Sequence, residues 1–237
     1  MGKVIVGTTM SLDGFINDRH GSLERLYPNL EELRETEMLQ ESLKSTGAAV
    51  MGRHAFDMAN GDFTGYEYQV PIFVLTHHPP QQITKGQNDK LTITFVTDGI
   101  HSAIEKAKAA AGEKDVTVVG GANTAQQIIR SGLFDELQIG IVPILLCSGL
   151  RFFDNVSIGN MQLDIAQILQ SPSRVDIGYR VVKSLQRDPS AAQSLTHGFG
   201  SVRHIQFCIN RRHMKFHRVL TNPQRDGNLF VCKSPGQ

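Results

Sequence analysis

Two glycines at the exit of an apolar run are the strongest chemical signal in this chain. Val116-Thr117-Val118-Val119 leads into Gly120-Gly121, and Ala122-Asn123-Thr124 opens a helical stretch. Residues without Cβ let the backbone come close to a ligand, and a helix start aims free N–H groups and partial positive charge at it, which suits phosphate. A dinucleotide diphosphate fits such a turn; a tight strand-to-helix connection with no ligand fits it equally. The G-x-G-x-x-G spacing is absent. A second apolar run passes through Gly52 into Arg53, whose guanidinium could hold phosphate by charge-assisted hydrogen bonds or stand as a solvated surface charge. A third ends in Leu75-Thr76-His77-His78, a hydroxyl and two imidazoles suited to a nucleotide 2′-phosphate. Neighbouring His side chains in extended chain point to opposite sides, so no metal site is expected there.

These residues need strand ends and helix starts to carry them, and the hydrophobic pattern supplies both. Val4 to Val6 reads as a buried strand stopping at Gly7-Thr8-Thr9, followed by a polar, glycine-bearing loop from Ser11 to Gly21. Asn29 reads as the cap of a helix with Leu30, Leu33, Leu39 and Leu43 on one face and Gly47 as its stop. Strands are expected at Ala48 to Met51, Pro71 to Leu75, Leu91 to Val96 and Val116 to Val119, with helices at Ile100 to Ala111 and at Ala122 to Ser131, the last closed by Gly132. Beyond Asp135 the helices stop, and Leu137 to Leu146, Met161 to Leu169 and Val175 to Val182 follow as strands. This order implies an α/β fold: a mixed, mainly parallel central sheet flanked by helices and antiparallel at its C-terminal edge.

Composition bounds the function classes. The 237 residues, 40% hydrophobic and 20% charged, exclude a collagen, a coiled coil or a wholly disordered chain. A formal charge of +1 does not steer the molecule toward nucleic acid or an anionic membrane. The charge is uneven, however: residues 184–237 hold 8 of the 24 Lys and Arg but only 2 of the 23 Asp and Glu. That stretch is breaker-rich and without sustained period, so it reads as a basic, poorly ordered extension to a domain of residues 1–183. Its basic run from Arg211 to Arg218 suggests a nucleic-acid contact less readily than a solvated tail, and Cys208, His213, His217 and Cys232 lack paired zinc-ligand spacing. Three unpatterned cysteines and no long apolar run point to a soluble, cytoplasmic protein.

Six segments occur in the order and spacing of one superfamily: Thr9-Met10-Ser11-Leu12-Asp13-Gly14-Phe15, Met51-Gly52-Arg53, Leu75-Thr76, Val119-Gly120-Gly121-Ala122, Gly132 to Leu137, and Pro143 to Gly149. Over residues 2–183 the chain resembles the dihydrofolate reductase-like proteins. Within them it is most similar to the reductase (C-terminal) domain of bifunctional riboflavin-biosynthesis deaminase-reductases and their stand-alone homologues. The resemblance implies a homodimeric, NADPH-dependent reductase that transfers hydride to a small pyrimidine-type substrate, as 5-amino-6-(5-phosphoribosylamino)uracil reductase does. A related enzyme of other substrate, or a non-catalytic nucleotide-binding protein, is the alternative. It places the cofactor against Thr9, Gly52, Arg53, Leu75, Thr76, Val119, Gly120, Gly121, Ala122, Asn123 and Thr124, with His77 beside the ribose phosphate. Ser11, Asp13 and Glu136 become the catalytic candidates, the two acids as proton sources; for Asp13 a turn-forming residue before Gly14, and for Glu136 a surface acid, are the plainer readings. Dihydrofolate is disfavoured: the acids around the first helix cluster as a solvated face, and residues 54–129 contain no Arg to hold a glutamate tail. Cys147 stands where relatives carry glycine, which matters if the backbone there needs positive φ.

Overall fold

The computed structural model describes residues 2–81, 84–154, 156 and 161–182. The basic extension, and with it the Arg211–Arg218 run and the Cys and His residues considered for zinc, lies outside them.

Eight strands form one sheet in the order β4-β3-β2-β5-β1-β6-β8-β7. They are β1 (Val4–Ser11), β2 (Thr46–Gly52), β3 (Ile72–Leu75), β4 (Ile93–Val96), β5 (Asp115–Val119), β6 (Glu136–Val142), β7 (Gln162–Gln170) and β8 (Val175–Val182). The first six positions in that order pair parallel, while β6–β8 and β8–β7 pair antiparallel. The mixed sheet expected from the strand and helix rhythm is therefore present. Five helices flank it: α1 (Leu30–Glu35), α2 (Glu37–Ser45), α3 (Arg53–Met58), α4 (Ile100–Ala111) and α5 (Ala122–Ser131). Val4, Ile5 and Val6 of the central strand are at most 3% exposed, because both faces are covered there.

Local sequence explains the helices that bear on the site. α4 is rich in alanine and buries Ala103, Ile104, Ala107 and Ala111 on one face. α5 buries Ala122, Ala125, Ile128 and Ile129 against the sheet, and Gly132, at φ 66°, closes it by donating to the carbonyls of Ile128 and Ile129. Each isoleucine so buried contributes about 2 kcal/mol of transfer free energy.

Two glycines carry a different role from the one their type suggests. Gly7 does not stop β1: the ladder to β6 continues from Gly7–Gln138 to Ser11–Val142, so Thr9 and Ser11 are strand residues, not loop residues. Gly47 does not end a helix. One continuous helix gives way to two, since Thr36 is extended at φ −62° and ψ 138° between α1 and α2, and Gly47 lies inside β2. There an added Cβ would meet the Ala111 carbonyl oxygen at 2.8 Å, so close approach to the end of α4 sets this position. Asn29 does cap α1, its side chain accepting from the amides of Glu31 and Glu32. The expected leucine face is not what α2 buries; Met38 and Ser42 are.

At the far edge, β7 carries a bulge at Ala166: Ile165 faces Tyr179 and Gln167 faces Gly178. Leu163, Ile165 and Ile168 consequently oppose Val181, Tyr179 and Ile177, on one face, and all three are exposed.

Candidate active site

The chain returns from β4 to lay β5 between β2 and β1, then continues on the other side of β1 with β6. In parallel sheets this reversal opens a crevice beyond the carboxyl ends of the strands. Two cavities occupy it, adjoining at the Gly120–Gly121 pair.

The first, about 440 Å³, is lined by Gly52, Arg53, Leu75, Thr76, His77, Gly121, Asn123 and Thr124 among others. Three helices begin on it, and each has glycine as N-cap with no side-chain cap: Gly52 for α3, Gly99 for α4 and Gly121 for α5. None of the three has an acid in its first turn, whereas α1 has Glu31 and Glu32 and α2 has Glu37. Helix-start amides thus face a cavity in which Arg53 is the one Lys or Arg of the lining and no Asp or Glu appears, although Asp98, one residue before the Gly99 cap, holds its carboxylate against Ser102 in the first turn of α4. Such a lining suits an anion.

The glycines divide their work. A Cβ on Gly52 would collide with Thr124 Oγ1, and one on Gly120 would lie 2.7 Å from Ala55 Cβ, so both glycines serve packing between elements, Gly120 also at a φ of +72° that favours glycine. A Cβ on Gly121 would meet nothing within 4 Å, yet its φ is +64°. Gly121 is therefore the position that keeps the cavity open. Arg53 is oriented from two sides, Nε donating to Asp57 Oδ1 at 2.7 Å and Nη1 to the carbonyl of His78. Thr76 donates its hydroxyl to the His78 carbonyl at 3.1 Å and accepts from the His78 amide at 3.2 Å, which fixes the turn under Arg53. Ala122 is 1% exposed and points into the core instead.

The second cavity, about 230 Å³, lies between the sheet and α1–α2. Two rungs of the sheet form its floor, Gly7–Gln138–Gly178 and Thr9–Gly140–Asp176, running across β1, β6 and β8. Glycine at three of these positions removes the side chains that would otherwise fill the space. Thr9, Val119 and Gly120 line it as well, and Tyr68 shares a 2.9 Å hydrogen bond with Ser42 on the roof. Burial raises the pKa of the Tyr68 phenol, which keeps its proton at neutral pH.

The three catalytic candidates do not gather here. Ser11 is fully buried and donates to Asp13 Oδ1 at 2.6 Å, and Asp13 accepts further from the amides of Leu146 (3.2 Å) and Cys147 (2.8 Å). The Ser11 hydroxyl foremost, with the two amides, lowers the Asp13 pKa to about 2. Such a carboxylate holds no proton to give at neutral pH; it ties the 11–15 loop to residues 146–147. Glu136 pairs with Ile5, six residues before the Ser11 rung, roughly 20 Å along the strand. It sits at the opposite end of the sheet, 2.7 Å from Lys3. Cys147 has φ 61°, the left-handed geometry that glycine supplies freely and that costs other residues about 1–2 kcal/mol. Cys147 thus holds, at a cost, a geometry that glycine would adopt freely.

The Asp13 tie sets a pH dependence. A carboxyl lowered on folding adds stability above its unfolded value near 4 and loses it as pH falls through its folded value. For Asp13 that window runs from about 4 down to about 2. Asp13→Asn is expected to lower the urea midpoint at pH 7 and to flatten its decline between pH 4 and pH 2; parallel declines in both proteins would refute the role.

Sequence reasoning placed the start of α4 at Ile100 without joining Gly99 to the site, and missed Gln138, Gly140, Arg174 and Asp176 on the floor of the second cavity. Glycine inside the strand runs at 7, 140 and 178 was the available signal. Among the described residues no group of three or more His, Cys, Asp or Glu could hold a metal, and no helix is long and apolar enough to cross a membrane.

Comparison with known proteins agrees with this architecture. The family described as RibD C-terminal domain matches residues 2–177. The uncharacterised protein YyaP of Bacillus subtilis (strain 168) is 26% identical over 161 residues, 65% of this chain and 81% of its own. A putative riboflavin biosynthesis protein from Shewanella sp. PV-4 superposes with a TM-score of 0.63 at 24% identity, over 76% of this chain and 99% of that one. Dihydrofolate reductase from Enterococcus faecalis, complexed with NADP(H) and RAB-propyl, superposes with a TM-score of 0.51 at 15% identity, over 76% and 96%. The shared fold is dihydrofolate reductase-like.

Proposed function

Because the chain belongs to the RibD C-terminal domain family, we propose that it is an NADPH-dependent reductase acting on a small pyrimidine-type substrate. The observation that carries the reading is the convergence of three glycine-capped helix starts on a cavity with one Arg and no acid. Gly121, Asn123 and Thr124 would hold the diphosphate, and Arg53, with Thr76 and His77, the ribose 2′-phosphate. When bound, a reduced nicotinamide supplies the hydride. The chain's own part is to bind, to orient and to keep water out: the floor glycines provide flat space beside Thr9 and Val119, and α2 and Tyr68 cover it. With Asp13 ionised and Glu136 at the far end of the sheet, the proton-bearing groups over this floor include the Tyr68, Ser42, Tyr27 and Thr36 hydroxyls.

Residues 1–183 form the reductase unit in this proposal. A homodimer belongs to it too, with the exposed Leu163, Ile165 and Ile168 stripe as the surface that a second copy covers; sedimentation as a monomer would remove that part. The test of the cofactor is thermal unfolding with NADPH, with NADH and without nucleotide. At a hundredfold excess over Kd, a nucleotide bound only by the folded chain adds about 2.7 kcal/mol, several degrees in melting temperature. NADPH is expected to give that shift and NADH a smaller one; no shift with either would overturn the assignment.

A further inference from the structure

The larger cavity gathers three imidazoles that neither packing nor capping uses. His54 in the first turn of α3, and His77 and His78 beyond β3, all line it, and all three are exposed. In extended chain two neighbouring histidines would point to opposite sides, but here the chain bends after Thr76. The Thr76 hydroxyl holds that bend through its two hydrogen bonds to the His78 backbone, so both residues line the same cavity. Among the described residues no hydrogen bond or ion pair engages any of the three imidazoles. Other charge around them is sparse. Arg53 is the one Lys or Arg of the lining, and Asp57 at 2.7 Å offsets part of its charge. Asp98, before α4, is bonded to Ser102 and Lys106, and His101 in the first turn of α4 stays outside the lining. Asn123, Thr124 and Gln127 of α5 are uncharged. A phosphomonoester, with a charge of about −2 at neutral pH, is therefore only partly matched by Arg53.

We propose that His54, His77 and His78 act as a proton-dependent clamp on a phosphomonoester, so that acidity as well as Arg53 sets the preference for NADPH over NADH. The proposal rests on the cofactor reading above and adds to it a regulation of the same site by pH. Imidazole is the side chain that ordinarily gains its charge between about pH 8 and pH 5. A phosphomonoester keeps most of its second negative charge down to about pH 6, so over much of that range ligand and clamp carry opposite charge. A dianion favours the protonated imidazole. Binding therefore takes up protons, and the affinity so gained is present at low pH and lost as pH rises. NADH carries only the diphosphate, which in this reading meets the uncharged groups of Gly121, Asn123 and Thr124, so its affinity hardly moves.

The experiment is fluorescence titration of the full chain with NADPH and with NADH at about pH 6.5, 7.5 and 8.5 and constant ionic strength. From the lowest to the highest pH the NADPH Kd is expected to rise by about tenfold and the NADH Kd by less than about twofold. The triple variant His54→Gln, His77→Gln, His78→Gln should match wild type within about threefold at the highest pH and show no such rise. Calorimetry of wild type near pH 7.5 in Hepes and in Tris, whose ionisation heats differ, should count about half a proton or more taken up per NADPH. That count needs no variant. NADPH that binds with a flat profile, or without proton uptake, overturns the clamp and leaves the cofactor reading standing. A pH dependence that survives in the triple variant overturns the clamp as well. Failure of NADPH to bind at any of these pH values strikes the cofactor reading instead. Adenosine 2′-phosphate, titrated against adenosine, then decides the clamp, which falls if the two bind alike or if the advantage of the phosphate ignores pH.

Discussion

Replacing Gly121 with valine is expected to cut NADPH affinity by at least about a hundredfold and to erase the nucleotide-dependent rise in melting temperature. Two effects act together. At φ +64° a β-branched residue is a steric outlier, so the turn into α5 must shift. The new side chain also enters space that no protein atom approaches within 4 Å, directly before the free amides of α5. Gly120→Ala is the comparison: its φ of +72° brings similar backbone strain and its Cβ meets Ala55 at 2.7 Å, so it should lower stability while placing no side chain in the cavity before α5. Titration of NADPH fluorescence against each variant reads the difference. Unchanged affinity in Gly121→Val would mean that the cavity does not take the diphosphate.

Arg53→Ala is expected to weaken NADPH by about tenfold to a hundredfold and NADH by less than about threefold, so that preference between them collapses. The guanidinium is held between Asp57 and the His78 carbonyl, which makes it a rigid cation in a lining without acids. A charge-assisted hydrogen bond to the phosphate that NADH lacks would account for the selectivity. The Asp57 pair is an exposed i, i+4 contact worth a few tenths of a kcal/mol, so the variant should fold normally. Equal losses for both nucleotides would move Arg53 from the ribose phosphate to the shared diphosphate.

What could be read from residue types was whatever local chemistry decides. The alanine-rich α4 and the Gly121-to-Gly132 span of α5 have the expected bounds, because caps and propensity lie within the segment itself. β8 was equally legible from its apolar run. Gly7 misled because a glycine that halts an isolated strand is tolerated where a partner ladder continues past it. Asp13 beside Gly14 looked like a turn former and a proton source; its principal partners include amides more than a hundred residues away, and only folding brings them there. Glu136 failed for a related reason, since residue type says nothing about which end of a sheet a strand entry occupies. Arg174 precedes β8 and Asp176 lies within it, so residue type alone did not announce their pairing. That Gly140 would lie opposite Asp176, its missing side chain giving the Arg174 guanidinium room, required the register of β6 on β8.

The extra residue at Ala166 has a bearing on the periphery of the molecule. Strand parity is binary, and one unpaired residue inverts it for everything downstream. Were Ala166 excised, Gln167 and Ile168 would keep Gly178 and Ile177 as partners in a regular ladder and the aliphatic ridge would persist; were it kept but drawn into straight pairing, Ile168 would turn to the other face and the ridge would end at Ile165. The looped-out position of one residue, not its side chain, thus decides whether the outermost ribbon offers a continuous oily seam or an interrupted one.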